Sequence, residues 1–426
     1  MRHLTEQKDT YRFSRAMYIV EAGLEYFISL MVVGAYLAKL TAHLGLSDSL
    51  TAILTSFVAL GFSFQLLAVF FFRGGSVKLR IIILHVVNQL MFMGIYTVPF
   101  FNLPHLVKVT LFVALLMGAY IISNLINAPK TNWLMSLVDD HKRGEFTAIK
   151  EAVSLVGGFL FNLMMGAVID HFEAKGEIKT AFIISAVTIF ALTVLHTLSL
   201  IFTKEKWAPE IPKTVSVVDR FKAVFQDKAI MKVIFLSVFW TICTHVTTAF
   251  FGTYQTKELG FSMRFIAVMS IVYSAVRIPA SFVLARIADR KSFAYMLKFA
   301  YSIAAVAFLV ASFMRPSNGK VTYTLYYALF AAAMGGINSA EINLIFDYAG
   351  PERRSDVLMV KQTIYGLAGF LGTLAATPLV NYIQANGNRI FGLQIYAQQV
   401  LSFISFILAV AVIIYLQKVV LKLKKQ

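Results

Sequence analysis

The sequence predicts an all-α integral membrane protein of about twelve transmembrane helices, arranged as two parallel six-helix repeats. Three observations predict it: a shortage of charge, a regular succession of long apolar stretches, and an internal repeat at one fixed offset.

Charge comes first. Of the 426 residues, 58% are hydrophobic and only 14% charged, where a soluble domain carries about 25%. Such a chain cannot clothe a water-facing surface of ordinary polarity. A bilayer removes the need, because lipid replaces water around the apolar faces. The 38 Phe residues agree, since Phe faces lipid at no cost.

The apolar stretches come second. A helical span needs about 20 mostly apolar residues. Spans are expected at 15–41, 49–72, 81–99, 106–137, 146–170 and 180–203, then at 231–256, 263–287, 293–314, 324–347, 357–384 and 393–416. Between them stand helix breakers such as Arg73-Gly74-Gly75, Pro316-Ser317-Asn318-Gly319 and Asn386-Gly387-Asn388. The first stretch carries Glu21 and Glu25 and reads as a retained span, not a cleaved signal. The one long polar connector, 204–230, separates a bundle over 1–203 from a bundle over 231–426. Its Asp219–Phe225 portion has the pattern of an interfacial helix.

The repeat comes third. Arg143 aligns with Arg354, an offset of 354 − 143 = 211. The same offset pairs Lys150 with Lys361, Gly158-Phe159-Leu160 with Gly369-Phe370-Leu371, Asn127 with Asn338, and Asn132 with Asn343. Both copies cross the membrane in the same direction, so the repeat is parallel.

With the N-terminus on the cytoplasmic side, the inner segments hold 25 Lys and Arg and the outer ones nine. The positive-inside rule therefore puts both termini in the cytoplasm of a multi-pass plasma (inner) membrane protein. This also explains the net charge of +17. The basic residues sit at span ends and form no stripe with interleaved aromatics, which argues against nucleic acid.

Two parallel six-span halves, together with Arg286-Ile287-Ala288-Asp289-Arg290-Lys291 between the eighth and ninth spans, resemble the major facilitator superfamily. The resemblance covers nearly the whole chain. The hexapeptide is similar to the family's short cytoplasmic loop motif, whose core is Ala-Asp-Arg followed by basic residues. The matching first-half loop, Arg73 to Lys78, keeps the bases and lacks the acid. The resemblance implies a secondary transporter working by alternating access, lined by spans one, four, seven and ten. It also implies that Arg286, Asp289, Arg290 and Lys291 latch the cytoplasmic side, with Asp289 against the start of the fifth span. That fifth span lacks the Gly-Pro motif of the family's drug antiporters. The expected cargo is a small polar organic solute, sugar- or carboxylate-like, in cation symport. Proton-coupled export of an amphipathic compound is the alternative.

An ionisable group inside a bilayer is a functional candidate by default. Glu21 and Glu25 share a face of the first span. Glu25 lies about 15 Å from the inner end, near the midplane, and is the leading coupling residue; its alternative role is a structural partner of Arg277 or Lys130. In the fourth span Asn124, Asn127 and Lys130 follow one another by three, as Asn338 and Glu341 do in the tenth. Lys130 and Glu341 are repeat equivalents of opposite charge. They are expected either to pair as a gate or, for Lys130, to pair with Glu151. Arg277 is mid-depth in the eighth span beside Pro279 and offers a planar fork to a carboxylate. Trp240 and His245 in the seventh span, with Gln362 and Tyr365 in the eleventh, complete the substrate and coupling candidates.

Cys243 is the sole cysteine, which excludes an intrachain disulfide. The sequence carries no Walker-type loop, His-Glu-x-x-His or Gly-x-Ser-x-Gly elbow. It therefore predicts no catalytic residue, no metal site and no cofactor beyond a coupling H⁺ or Na⁺. The expected partners are a small-molecule substrate and the lipid bilayer, around a monomer.

Overall fold

The computed structural model describes residues 10–72, 76–139, 143–206, 217–350, 353–390 and 392–423. Among them the chain is helical almost throughout. Its helices are α1 (Arg12–Met31), α2 (Gly34–His43), α3 (Asp48–Thr55), α4 (Phe57–Phe62), α5 (Ala68–Phe71), α6 (Val77–Thr97), α7 (His105–Met135), α8 (Arg143–Ala174), α9 (Ile178–Phe202), α10 (Val217–Gln226), α11 (Lys228–Thr248), α12 (Phe251–Thr253), α13 (Met263–Arg290), α14 (Phe293–Ala311), α15 (Gly319–Phe346), α16 (Arg354–Ala385) and α17 (Ala397–Lys418). The one sheet is a two-stranded hairpin, β1 (Arg389–Ile390) against β2 (Leu393–Gln394), in the turn before α17.

Among the described residues ten helices are long and apolar enough to cross a membrane, and the bent pair α1–α2 makes eleven. The remaining span, 48–71, is divided among α3, α4, a 3-10 turn and α5. Local chemistry accounts for both interruptions. Between α1 and α2 the axis turns by 43°, where Val33 is extended and Gly34 has φ +56°. Only glycine takes that left-handed conformation without Cβ strain. In the second span Ser56 bonds back to the Ile53 carbonyl at 2.6 Å, and Ser63 bonds to the Thr363 carbonyl at 3.2 Å. Hydroxyls that compete for helix carbonyls bend and interrupt helices.

Packing divides the chain into two units. The first comprises residues 1–32 and 67–211, the second 33–66 and 212–426. The first unit is built on α6 against α7 and α9, and on α1 against α8 and α9. One of its apolar clusters joins Tyr18, Ile81, Trp133, Leu134 and Leu200. In the second unit α14 lies between α15 and α17, and α11 between α16 and α17. Their core is centred on Trp240, Tyr301, Phe308 and a run of alanines along α14.

Residues 33–66 group by packing with second-half helices. The reasons are specific. A Cβ on Gly252 would stand 2.6 Å from the Gly34 carbonyl oxygen, so α2 and α12 meet backbone to backbone. Ser49 bonds Asn381, and Asp48 takes both Lys257 and Gln384. The connector 204–230 contains α10, which covers the expected Asp219–Phe225 segment; residues 207–216 lie outside the described ones. Arg353 fastens α10 and α11 to the start of α16, donating to the Ala223 carbonyl at 3.0 Å and meeting Asp227 at 3.3 Å.

Candidate functional site

Each unit holds a charged network among its spanning helices. In the first unit α7 brings Lys130 to α1. Its Nζ lies 2.7 Å from Glu21 Oε1 and 2.5 Å from Glu25 Oε2. Glu21 and Glu25 are one turn apart on α1, so one ammonium spans both carboxylates. The three groups differ in exposure. The side chains of Lys130 and Glu21 are 5% and 2% exposed, whereas that of Glu25 is 37% exposed. Glu25 is thus the accessible end of a buried network. Behind Glu21, His196 Nε2 on α9 lies 3.2 Å from Glu21 Oε1. His85 on α6 stands edge-on to His196, ring centroids 3.8 Å apart. At ordinary charges, two carboxylates on one ammonium leave one net negative charge, which one proton cancels.

In the second unit Glu341 on α15 meets Lys361 on α16 at 2.7 Å, both almost fully buried. Tyr301 on α14 donates to Glu341 Oε1 at 3.2 Å. Trp240 packs against Tyr301 with centroids 4.6 Å apart, and Lys361 lies over the Tyr365 ring, 5.5 Å from its centroid. His245 shares a hydrogen bond with the Thr241 hydroxyl at 3.1 Å and stands edge-on to Tyr365 at 6.5 Å. A cation, a carboxylate and three aromatic rings therefore converge around α11, α14, α15 and α16.

Lys130 and Glu341, expected either to pair with each other or, for Lys130, with Glu151, each take a partner in their own unit. The repeat is charge-inverted: Lys130 gathers acids from α1, and its equivalent Glu341 gathers a lysine from α16. Glu25 takes Lys130, the structural partner named for it, and not Arg277. Arg277 stands midway along α13 with its guanidinium 5.7 Å from the Tyr273 ring centroid and makes no ion pair among the described residues. Asn124 is buried and donates to the Tyr120 carbonyl of its own helix at 2.9 Å. Asn127 and Asn338 are exposed, and Gln362 is half-buried beside Lys361 in sequence. Of the loop motif, Arg286, Asp289 and Arg290 are exposed at the end of α13, and Lys291 lies over Tyr295 at 5.0 Å. Residues 140–142, just before the fifth span, lie outside the described ones.

His85, His196, Lys361 and Tyr301 belong to these networks and escaped the sequence reading. The signal for three of them was present. His85, His196 and Lys361 are ionisable groups inside apolar spans, the criterion that selected Glu25 and Lys130. Nothing in the sequence distinguished Tyr301 from the other tyrosines.

A model described as Major Facilitator Superfamily matches residues 22–373. The chain belongs to the major facilitator superfamily. Solved structures of this fold align over almost all of it. The nucleoside transporter NupG is 15% identical with a TM-score of 0.68, covering 96% of this chain and 100% of its own. The D-xylose-proton symporter is 15% identical with a TM-score of 0.67, over 96% and 98%. The POT family transporter PepTSo is 12% identical with a TM-score of 0.73, over 96% and 98%. At such identities the likeness is one of fold. No curated protein sequence matches the chain. Membership makes this a multi-pass transporter of the superfamily, with the two charged networks set on its spanning helices.

Proposed function

We propose that the protein is a secondary active transporter that carries a small polar organic solute, sugar-like or carboxylate-like, by alternating access in symport with a cation, the proton being the first candidate. The observation that carries this reading is Lys130 shared between a buried carboxylate, Glu21, and an accessible one, Glu25. A proton taken by Glu25 frees it from Lys130 while Glu21 keeps the ammonium neutralised. The network therefore has two settings that differ by one proton, the minimum a coupling site needs. The second network supplies recognition chemistry. Tyr365 and the Thr241–His245 pair suit hydroxyls and a ring face, and Arg277, which makes no ion pair among the described residues, offers a fork to a carboxylate. Two of the similar solved structures, a nucleoside transporter and a D-xylose-proton symporter, carry polar organic cargo. The charge bias supports a placement with both termini in the cytoplasm of a plasma membrane.

The test is counterflow in proteoliposomes, screened over sugars, nucleosides, carboxylates, small peptides and lipophilic cations. Exchange of a labelled polar solute, reduced by Arg277→Gln for an anionic one, supports the reading. Exchange of lipophilic cations alone replaces it with export of amphipathic compounds.

A further inference from the structure

The second unit contains another charged cluster, where four helix ends meet. Asp48 opens α3. Lys257 and Glu258 close the π-helical turn Tyr254–Glu258 that continues α12. Gln384 lies at the end of α16, and Gln398 in the first turn of α17. Asp48, Glu258, Gln384 and Gln398 line one small pocket, with Thr253 and Tyr254 beside them.

Its hydrogen bonding is unbalanced. Asp48 is satisfied: one oxygen takes Lys257 Nζ and the other accepts from Gln384 Nε2 at 2.7 Å. The same Gln384 nitrogen reaches Glu258 Oε1 at 3.5 Å, so one amide touches both carboxylates. Glu258 Oε2 is buried with no partner among the described residues. Gln398 is 3% exposed; its Nε2 donates to the Thr247 carbonyl and hydroxyl, which fixes the amide orientation and turns Oε1 away from them. That Oε1 is also buried and unpartnered. A buried polar atom left unpaired costs about 1–3 kcal/mol. Two in one pocket, both oxygen acceptors, point to a ligand that accepts electron pairs from several oxygens.

Charge selects among such ligands. Asp48 and Glu258 against Lys257 leave one negative charge, which one monovalent cation cancels. A divalent ion draws on several carboxylates, and the described residues contain no cluster of three His, Cys, Asp or Glu able to hold a metal. Carboxylate, amide and hydroxyl oxygens are hard donors suited to a hard cation. A lone proton on Glu258 binds a single carboxylate oxygen, whereas a metal ion engages oxygens from both orphaned side chains at once.

We propose that this pocket binds one sodium ion, held by Glu258, Gln398 and Asp48, and that the ion ties the start of α3 to the end of the π-helical turn and the start of α17. The site is independent of whichever ion drives transport.

The test uses the purified full-length protein in detergent at fixed pH, with choline chloride holding ionic strength constant. Equilibrium binding of radioactive sodium and the melting temperature are read as sodium replaces choline. Saturable binding of one ion per chain and a melting temperature raised by several degrees are expected. Glu258→Gln and Gln398→Leu each raise the half-saturating sodium concentration by roughly tenfold or more. Lys257→Met removes the competing ammonium and lowers it, a change of opposite sign that general misfolding cannot produce. Wild-type protein that behaves identically in sodium and choline overturns the proposal, as does stabilisation that follows pH alone, which makes Glu258 a proton site. Neither result depends on transport, so failure here and failure of the symport reading are separable.

Discussion

Lys130 is the residue on which the first network turns. Its ammonium is withdrawn from water and compensated by Glu21 and Glu25. Removing one partner of a buried pair leaves an uncompensated charge and costs about 3–5 kcal/mol. Lys130→Met is therefore expected to lower the melting temperature sharply, and Lys130→Met combined with Glu21→Gln to recover much of the loss. A double variant no more stable than the single one would show that the pair is not the source of the effect. The same logic applies to Glu341 and Lys361. These charges were legible in the sequence because depth alone marks an ionisable group in a span. Of their partners only Lys130 for Glu25 was named, as one of two alternatives, because a helix period says which face a residue shares and not which neighbour that face meets. Lys361 illustrates the limit: the repeat picked it out as the equivalent of Lys150, yet only packing puts it on Glu341.

At the scale of elements, the contact between α2 and α12 separates two kinds of glycine requirement. Gly34 has φ +56°, and nothing lies within 4 Å of a Cβ built on it. Gly34→Ala thus carries only a conformational cost of about 1–2 kcal/mol. Gly252 is helical, but its Cβ would collide with the Gly34 carbonyl at 2.6 Å. Gly252→Val must push α12 from α2, an overpacking cost of about 1–3 kcal/mol. The expected outcome is a folded Gly34→Ala variant with near-normal transport, and a Gly252→Val variant that loses transport more than stability. Equal transport in both would remove the functional weight of this contact. Apolar periodicity located nearly every span, since length and hydropathy suffice for that. It missed the breaks near 31–34 and 56–67, because backbone dihedrals and serine back-bonding leave the hydropathy pattern intact.

For the whole molecule, the repeat at an offset of 211 residues and the charge bias were visible before any coordinates. The packing of residues 33–66 with second-half helices was not, since it depends on contacts 200 to 300 residues apart in sequence, such as Asp48 with Lys257 and Ser63 with Thr363. The orientation argued from charge is directly testable. Cys243 is buried and is the only cysteine, so introduced cysteines report against a quiet background. A membrane-impermeant maleimide applied to intact cells is expected to label Ser317→Cys and to spare Ser292→Cys; the reverse pattern would invert the topology.

The central claim is that one proton on the α1–α7 network couples solute movement to the proton gradient. The most direct measurement is solute-driven proton entry into proteoliposomes, comparing wild type with Glu25→Gln for a solute that both exchange in counterflow. The account predicts that Glu25→Gln keeps counterflow and loses both proton entry and uphill accumulation, because the amide fixes the network in its neutralised setting. Proton entry at the wild-type ratio in Glu25→Gln would contradict it.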